Sequence, residues 1–206
     1  MLLPAWVPAG ETKPAPDGLL LVQSFVNTRD ADLGTDLLTE AEQANEWLHM
    51  SGLLSPDVVA GPRDLRTVRE VREAIRALIA VNSSADAELR DADRRILEQA
   101  ADGSQPRLSI DSAGHVQLAG QGAGGLAEGL LNLLLAIRDA QRDGTWDRLK
   151  VCGNRECQWA FYDRSHSRRG AWCDMAACGN MIKNRNLRAR RGRSAATASL
   201  EPDSPS

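Results

Sequence analysis

The four cysteines of this 206-residue chain, Cys152, Cys157, Cys173 and Cys178, form two C-x4-C pairs separated by fifteen residues. No other feature limits the possible folds so tightly. Two close pairs of soft ligands, each on a tight turn, are what a chain needs to close a tetrahedron of four thiolates around one structural zinc ion. Gly153 and Gly179 follow the first and last members, and "CGN" occurs in both halves. Each glycine lets the backbone turn sharply and aim N–H groups at sulfur. Four thiolates around a dication carry a formal charge of −2, and Arg155, Arg164, Arg168, Arg169 and Lys183 are near enough in sequence to offset it. Disulfides would need an oxidising compartment. A catalytic zinc would keep one position open, whereas an iron–sulfur cluster has the same ligand count. His166 lies between the pairs, in a segment that reads as a solvent-facing turn.

The charge distribution divides the chain at the same place. Residues 1–149 hold 14 Lys and Arg against 23 Asp and Glu, a balance of −9; residues 150–200 hold 11 against 3, a balance of +8; the last six add −2, for a net −3. An acidic body with a basic end is the pattern expected when one region meets a polyanion. "GNMIKNRNLRARRGR" after Cys178 reads as a helix capped by Asn180, carrying Lys183, Arg185, Arg188, Arg190 and Arg191 with no acidic residue before Glu201. A solvated helix normally mixes its signs, so this one is suited to phosphates.

Residues 1–18, with four of the nine prolines, read as an extended lead-in. "LLLVQSFVNT" (19–28) fits either a short strand or a buried helix. A Thr39-x-x-Glu42 capping box opens a helix over about 40–51, which Gly52 ends. The run Gly61–Asn82 places Leu65, Val68, Val71, Ile75, Leu78 and Ile79 on one helical stripe, with Pro62 near its start. Its arginines at 66, 69, 72 and 76 stand among Asp64, Glu70 and Glu73, as on a solvated face with intrahelical ion pairs. A further helix is expected over 85–101, a hairpin in "RLSIDSAGHVQLAG", and an apolar helix over 126–142. "GQGAGG" (120–125) lacks a phosphate-loop lysine and spacing, and reads as a hinge or as the lead-in to that last helix. His49 and His115 have no catalytic partner in the pattern. "MLLPAWVPAG" has no basic n-region, and "LAEGLLNLLLAIRD" is too short to span a bilayer, so a cytoplasmic protein is expected.

Between the cysteine pairs, "CQWAFYDRS" alternates like a strand and "AWC" reads as its return. Trp159, Phe161 and Trp172 then form a small core. The fold class is therefore mainly α: a helical N-terminal domain with a small β-hairpin, then a small four-cysteine finger of knuckle, β-hairpin and basic helix. The divisions are 1–18, 19–145, 146–193 and a tail, 194–206.

Cys152, Cys157, Trp159, Phe161, Asp163, Ser165, Arg168, Arg169, Trp172, Cys173, Cys178, Gly179, Asn180 and Lys183 together resemble the CGNR-type zinc finger. "SFVNT", "WLHMSGLL" and "VREAIRALI" resemble landmarks of the ABATE domain that precedes such fingers. The chain departs from the family pattern at Met181, where an arginine is usual, at Gly170 and Ala171, which are extra, and at Ser24, where an acidic residue is frequent. The resemblance implies a bacterial, stress-linked transcription regulator that is not an enzyme. It also implies one structural zinc, DNA contacts from the finger and an N-terminal domain that senses a small-molecule effector. The alternative is an RNA-binding or protein-interaction zinc module.

Overall fold

Amphipathic periodicity decides the architecture. The computed structural model describes residues 2–84, 87–121, 124–185 and 188. In it, α1 (Asp17–Asn27), α2 (Ala41–Met50), α3 (Pro62–Val81), α4 (Asp91–Asp102) and α5 (Leu126–Asp143) account for most of the ordered backbone. Three two-stranded antiparallel ribbons interrupt them: β1 (Arg29–Asp30) with β2 (Thr35–Asp36), β3 (Gln105–Ile110) with β4 (Val116–Gln121), and β5 (Leu149–Val151) with β6 (Ala160–Tyr162). Mainly α with a small hairpin is thus the fold class, as the hydrophobic stripes require.

The ambiguous run 19–28 lies within a helix. It buries Leu19, Val22, Phe25 and Val26 along with the polar Gln23, Ser24 and Asn27, so α1 is enclosed over most of its circumference. Phe25 meets Trp47 of α2 with ring centroids 6.0 Å apart. Leu48, Val68, Ile75, Ile79, Leu133 and Ile137 complete the centre. Each such side chain contributes about 1.5–3 kcal/mol by leaving water. Leu149, Ala160 and Tyr162 belong to the same apolar cluster, so the β5–β6 ribbon packs into the helical core.

Three local expectations change. The Thr39 capping box does not form: Glu40 is the N-cap of α2 and makes no side-chain cap bond. Helix α4 begins at Asp91, with residues 87–90 outside it. The arginines of α3 are not one solvated row. Arg66 is exposed, but Arg72 and Arg76 have side chains only 3% and 7% accessible. The 3.6-residue period carries positions 72 and 76 round to the interior, where carboxylates and carbonyls are waiting for them.

Candidate metal centre

The finger is assembled around the β5–β6 ribbon, with Leu149 opposite Tyr162 and Val151 opposite Ala160. Cys152 continues that pairing, its N–H donating to the Trp159 carbonyl at 2.9 Å. Between them the chain makes a knuckle in which the Asn154 carbonyl accepts from the N–H groups of Cys157 (3.0 Å) and Gln158 (3.1 Å). The second pair is delivered differently. Cys173 ends a loop, and Cys178 sits inside a π-type turn, Met175–Gly179, capped by Asp174, whose carboxylate accepts from the Ala177 N–H at 2.6 Å.

The sequence placed the return strand at "AWC"; residues 171–173 are not a strand. The partner of β6 lies before the first cysteine, and the chain returns as a loop because the Asp163 carboxylate gathers the N–H groups of Ser165 (3.0 Å) and Gly170 (2.7 Å). Nor does Asn180 cap the basic helix. Asp174 does so one turn earlier, and residues 180–185 continue as α-helix.

All four sulfurs lie within 4.8 Å of one another. Cys157 Sγ is 3.6 Å from Cys173 Sγ, which is 3.8 Å from Cys178 Sγ, and none is in a disulfide. A tetrahedron with metal–sulfur bonds of about 2.3 Å has edges of about 3.8 Å, so these thiols fit a four-coordinate soft cation. At this spacing all four can be thiolates together only with a cation between them. Hydrogen bonds from Cys157 and Cys173 pull the Cys152 thiol down to about 2, while the proximity of Cys152 pushes Cys157 up to about 12 and Cys173 higher still. A central cation relieves that repulsion and allows all four thiolates together.

Outer groups support the cluster. Asn154, buried, directs Nδ2 at Cys178 Sγ (3.6 Å), and the Met181 sulfur lies 4.0 Å from the same nitrogen. The glycines of the two "CGN" triplets serve close approach rather than unusual dihedrals. A Cβ on Gly153 would meet the Trp172 ring at 3.1 Å, and one on Gly179 would lie 2.5 Å from the Met175 sulfur. Trp159 and Trp172 pack directly on the cysteines.

Three features of the body hold this unit, and sequence patterns did not show them. Asn27 makes a paired bond to the β6 backbone, accepting from Ala160 N–H and donating to its carbonyl, both at 2.8 Å; Gln23 adds a second donor at 3.2 Å. Arg76 spans Val26 O (2.7 Å) and Gln158 O (2.6 Å), with Glu73 balancing its charge. The N-terminal segment lies along the finger: Lys13 O accepts from Tyr162 N–H (3.0 Å), Lys13 Nζ donates to Trp172 O (2.9 Å), and Arg164 donates to Pro14 O (2.8 Å). Burial pushes the Glu11 carboxyl up, against its bonds to Lys13 N–H, Asn27 and Trp159. The only sequence hint was "SFVNT", a polar pair at the end of an apolar run.

Of the basic residues, Arg155, Arg168, Arg169, Lys183, Arg185 and Arg188 are exposed. Arg190 and Arg191 lie outside the described residues. The three acidic residues of segment 150–200 are already engaged: Glu156 is 3.5 Å from Arg185, Asp163 pairs with Lys150 at 3.3 Å, and Asp174 caps the turn. No helix among the described residues is long and apolar enough to cross a membrane.

Two protein-family models match the chain. Residues 20–142 match the model of the ABATE family, described as "Putative stress-induced transcription regulator", and residues 148–191 match the CGNR zinc finger. A search of curated proteins found no match.

Proposed function

Because the chain belongs to the ABATE family and ends in a CGNR zinc finger, we propose that it is a non-enzymatic, zinc-dependent DNA-binding regulator. The observation that carries this reading is the surplus of free cations on the finger. Arg155, Arg168, Arg169, Lys183 and Arg188 have no acidic partner among the described residues, in a chain whose net charge is −3. Lysine and arginine that neutralise no protein carboxylate are free to neutralise phosphates and release their counterions.

Cys152, Cys157, Cys173 and Cys178 would hold one zinc, which supplies cross-linking and no chemistry because all four positions are taken by thiolates. The β5–β6 ribbon and the knuckle fix Cys152 and Cys157; the Asp174 cap orients the helix that carries Lys183 and Arg185. The histidines of the body support a non-catalytic reading: His49 Nε2 is bonded to Val58 O at 2.8 Å, and His115 is exposed beside Asp111.

Two measurements test this. Metal analysis should return one zinc per chain, lost in Cys173→Ser. Binding to duplex DNA should weaken with salt, with a slope of log K against log salt of about −5 to −7 for six to eight phosphate contacts. A slope near zero overturns the reading, and structured RNA outcompeting duplex DNA at matched salt would redirect it to RNA.

A further inference from the structure

The finger and the end of α3 border a shallow, open cleft of about 390 Å³ whose walls include Ser83, Lys150, Arg168, Arg169 and Gly170. Both walls are fixed. On the body side, Asn82 Nδ2 donates to Trp146 O (2.9 Å) and Leu149 O (3.0 Å), and Ser83 Oγ exchanges hydrogen bonds with the Val151 N–H (3.0 Å) and carbonyl (3.3 Å). On the finger side, loop 165–171 is wound around a buried ion pair. Asp163 accepts from Ser165 and Gly170 and meets Lys150 Nζ at 3.3 Å, and Lys150 Nζ also donates to Arg168 O. Burial alone would raise the Asp163 carboxyl, but these bonds outweigh it and hold it down at about 2.

Two details show that the loop is held in one conformation. Arg168 has φ 51°, the left-handed region that a side-chain-bearing residue seldom occupies, and its carbonyl is the one tied to Lys150. At Gly170 a Cβ would fall 2.8 Å from Asp163 Cγ, so glycine is what lets the carboxylate reach the loop backbone. What this scaffold presents is charge. Lys150 is neutralised by Asp163, leaving the Arg168 and Arg169 guanidinium groups exposed at the rim with no carboxylate paired to them among the described residues.

We infer that this cleft is a seat for backbone phosphates of duplex DNA, with Arg168 and Arg169 as the contacting cations and Lys150 and Asp163 as positioning residues. The inference rests on the DNA-binding reading above and assigns it a place. The preformed loop spares the entropy of ordering the backbone that carries the two arginines, and the contact is independent of base sequence because it is to phosphate.

The experiment is the salt dependence of duplex-DNA binding by the full zinc-loaded chain. Arg168→Ala/Arg169→Ala should make the slope of log K against log salt less negative by about 2, one unit for each phosphate released from contact. Gly170→Ala, which disturbs the loop and removes no cation from the rim, should reduce the slope in the same direction at unchanged zinc content. Arg138→Ala, on α5, should leave it at the wild-type value. A wild-type slope near zero defeats the functional reading and this inference together. Wild-type salt dependence retained in full by Arg168→Ala/Arg169→Ala defeats this inference alone. Should Gly170→Ala fail to fold, the double arginine variant decides, since both side chains are exposed.

Discussion

The arginines of the helical body and those of the finger have the same side chain and opposite uses. In the body, Arg72 makes a two-point pair with Asp36 (2.6 and 2.8 Å) and reaches Thr28, while Arg76 bridges Val26 and Gln158. Their charge is spent inside the molecule, where a guanidinium is tolerated because carboxylates and carbonyls replace its water. In the finger, Arg168, Arg169 and Arg188 stay in solvent with no carboxylate paired to them among the described residues. A count of basic residues is therefore a poor guide to nucleic-acid contact. What matters is how many remain after a region's own acids have been served, and in this chain only segment 150–200, with 11 basic against 3 acidic residues, is left with a surplus.

The comparison can be broken most forcefully at the metal. Structural zinc in small fingers contributes on the order of 10 kcal/mol. Chelation should therefore abolish the ordered environment of Trp159 and Trp172, read by fluorescence, and lower the melting temperature of the whole chain. Two independent melting transitions, with that of the body unmoved by chelation, would show that the Asn27 and Arg76 bonds do not couple the regions.

Arg76 offers the next largest effect. Arg76→Met strands the buried Val26 carbonyl, strips the Gln158 carbonyl of its partner and leaves Glu73 to Arg72 and Arg29; losing two charge-assisted bonds at about 1.5–3 kcal/mol each should cost about 3–5 kcal/mol in urea unfolding. Arg66→Met, exposed on the same helix, should cost under about 0.5 kcal/mol. Equal losses at the two positions would erase the distinction between inward and outward arginines.

Asn27→Leu removes the paired bond to Ala160, stranding its buried N–H and leaving its carbonyl to Gln23 alone, for an expected loss of about 2–3 kcal/mol. Metal affinity should fall with it, because the bond is made three residues from Cys157. A variant as stable and as tightly zinc-bound as the wild type would place the coupling elsewhere.

The smallest effect is in pH. Burial raises the Asp36 carboxyl, but its bonds to Arg72 and the Leu38 N–H outweigh this and hold it below its ordinary 3.8. A depressed acid stabilises the fold fully above the unfolded value and loses that contribution as pH falls below 3.8 toward the folded one. Asp36→Asn should flatten the acid limb of melting temperature against pH in that window. An unchanged limb would mean that the Arg72 pair contributes nothing measurable.

The helices were legible because a stripe at 3.6-residue spacing leaves a chain few alternatives, as in α3 and α5. The cysteines were legible because residue type and spacing are themselves the chemistry. The ends and partners of elements were less so. Thr39-x-x-Glu42 has the residues of a capping box, yet Glu40 holds the cap position, since local hydrogen-bond motifs are worth about 1 kcal/mol and yield to packing. "AWC" alternates over too few residues to define a strand, and Asp163 draws that segment into a loop instead.

By itself, then, the sequence determined that this protein is mainly helical, that four thiols can meet near its C-terminus, and that positive charge collects around them. These follow from periodicity, ligand type and composition, all of which are local along the chain. Only the tertiary structure decided which arginines are consumed and which are free, that Asn27 grips a backbone 133 positions away, and that Lys150 and Asp163 shape the Arg168 loop. Those are contacts between a side chain and a distant main chain, and a main chain leaves no residue-specific mark in the sequence by which such a partner could be read.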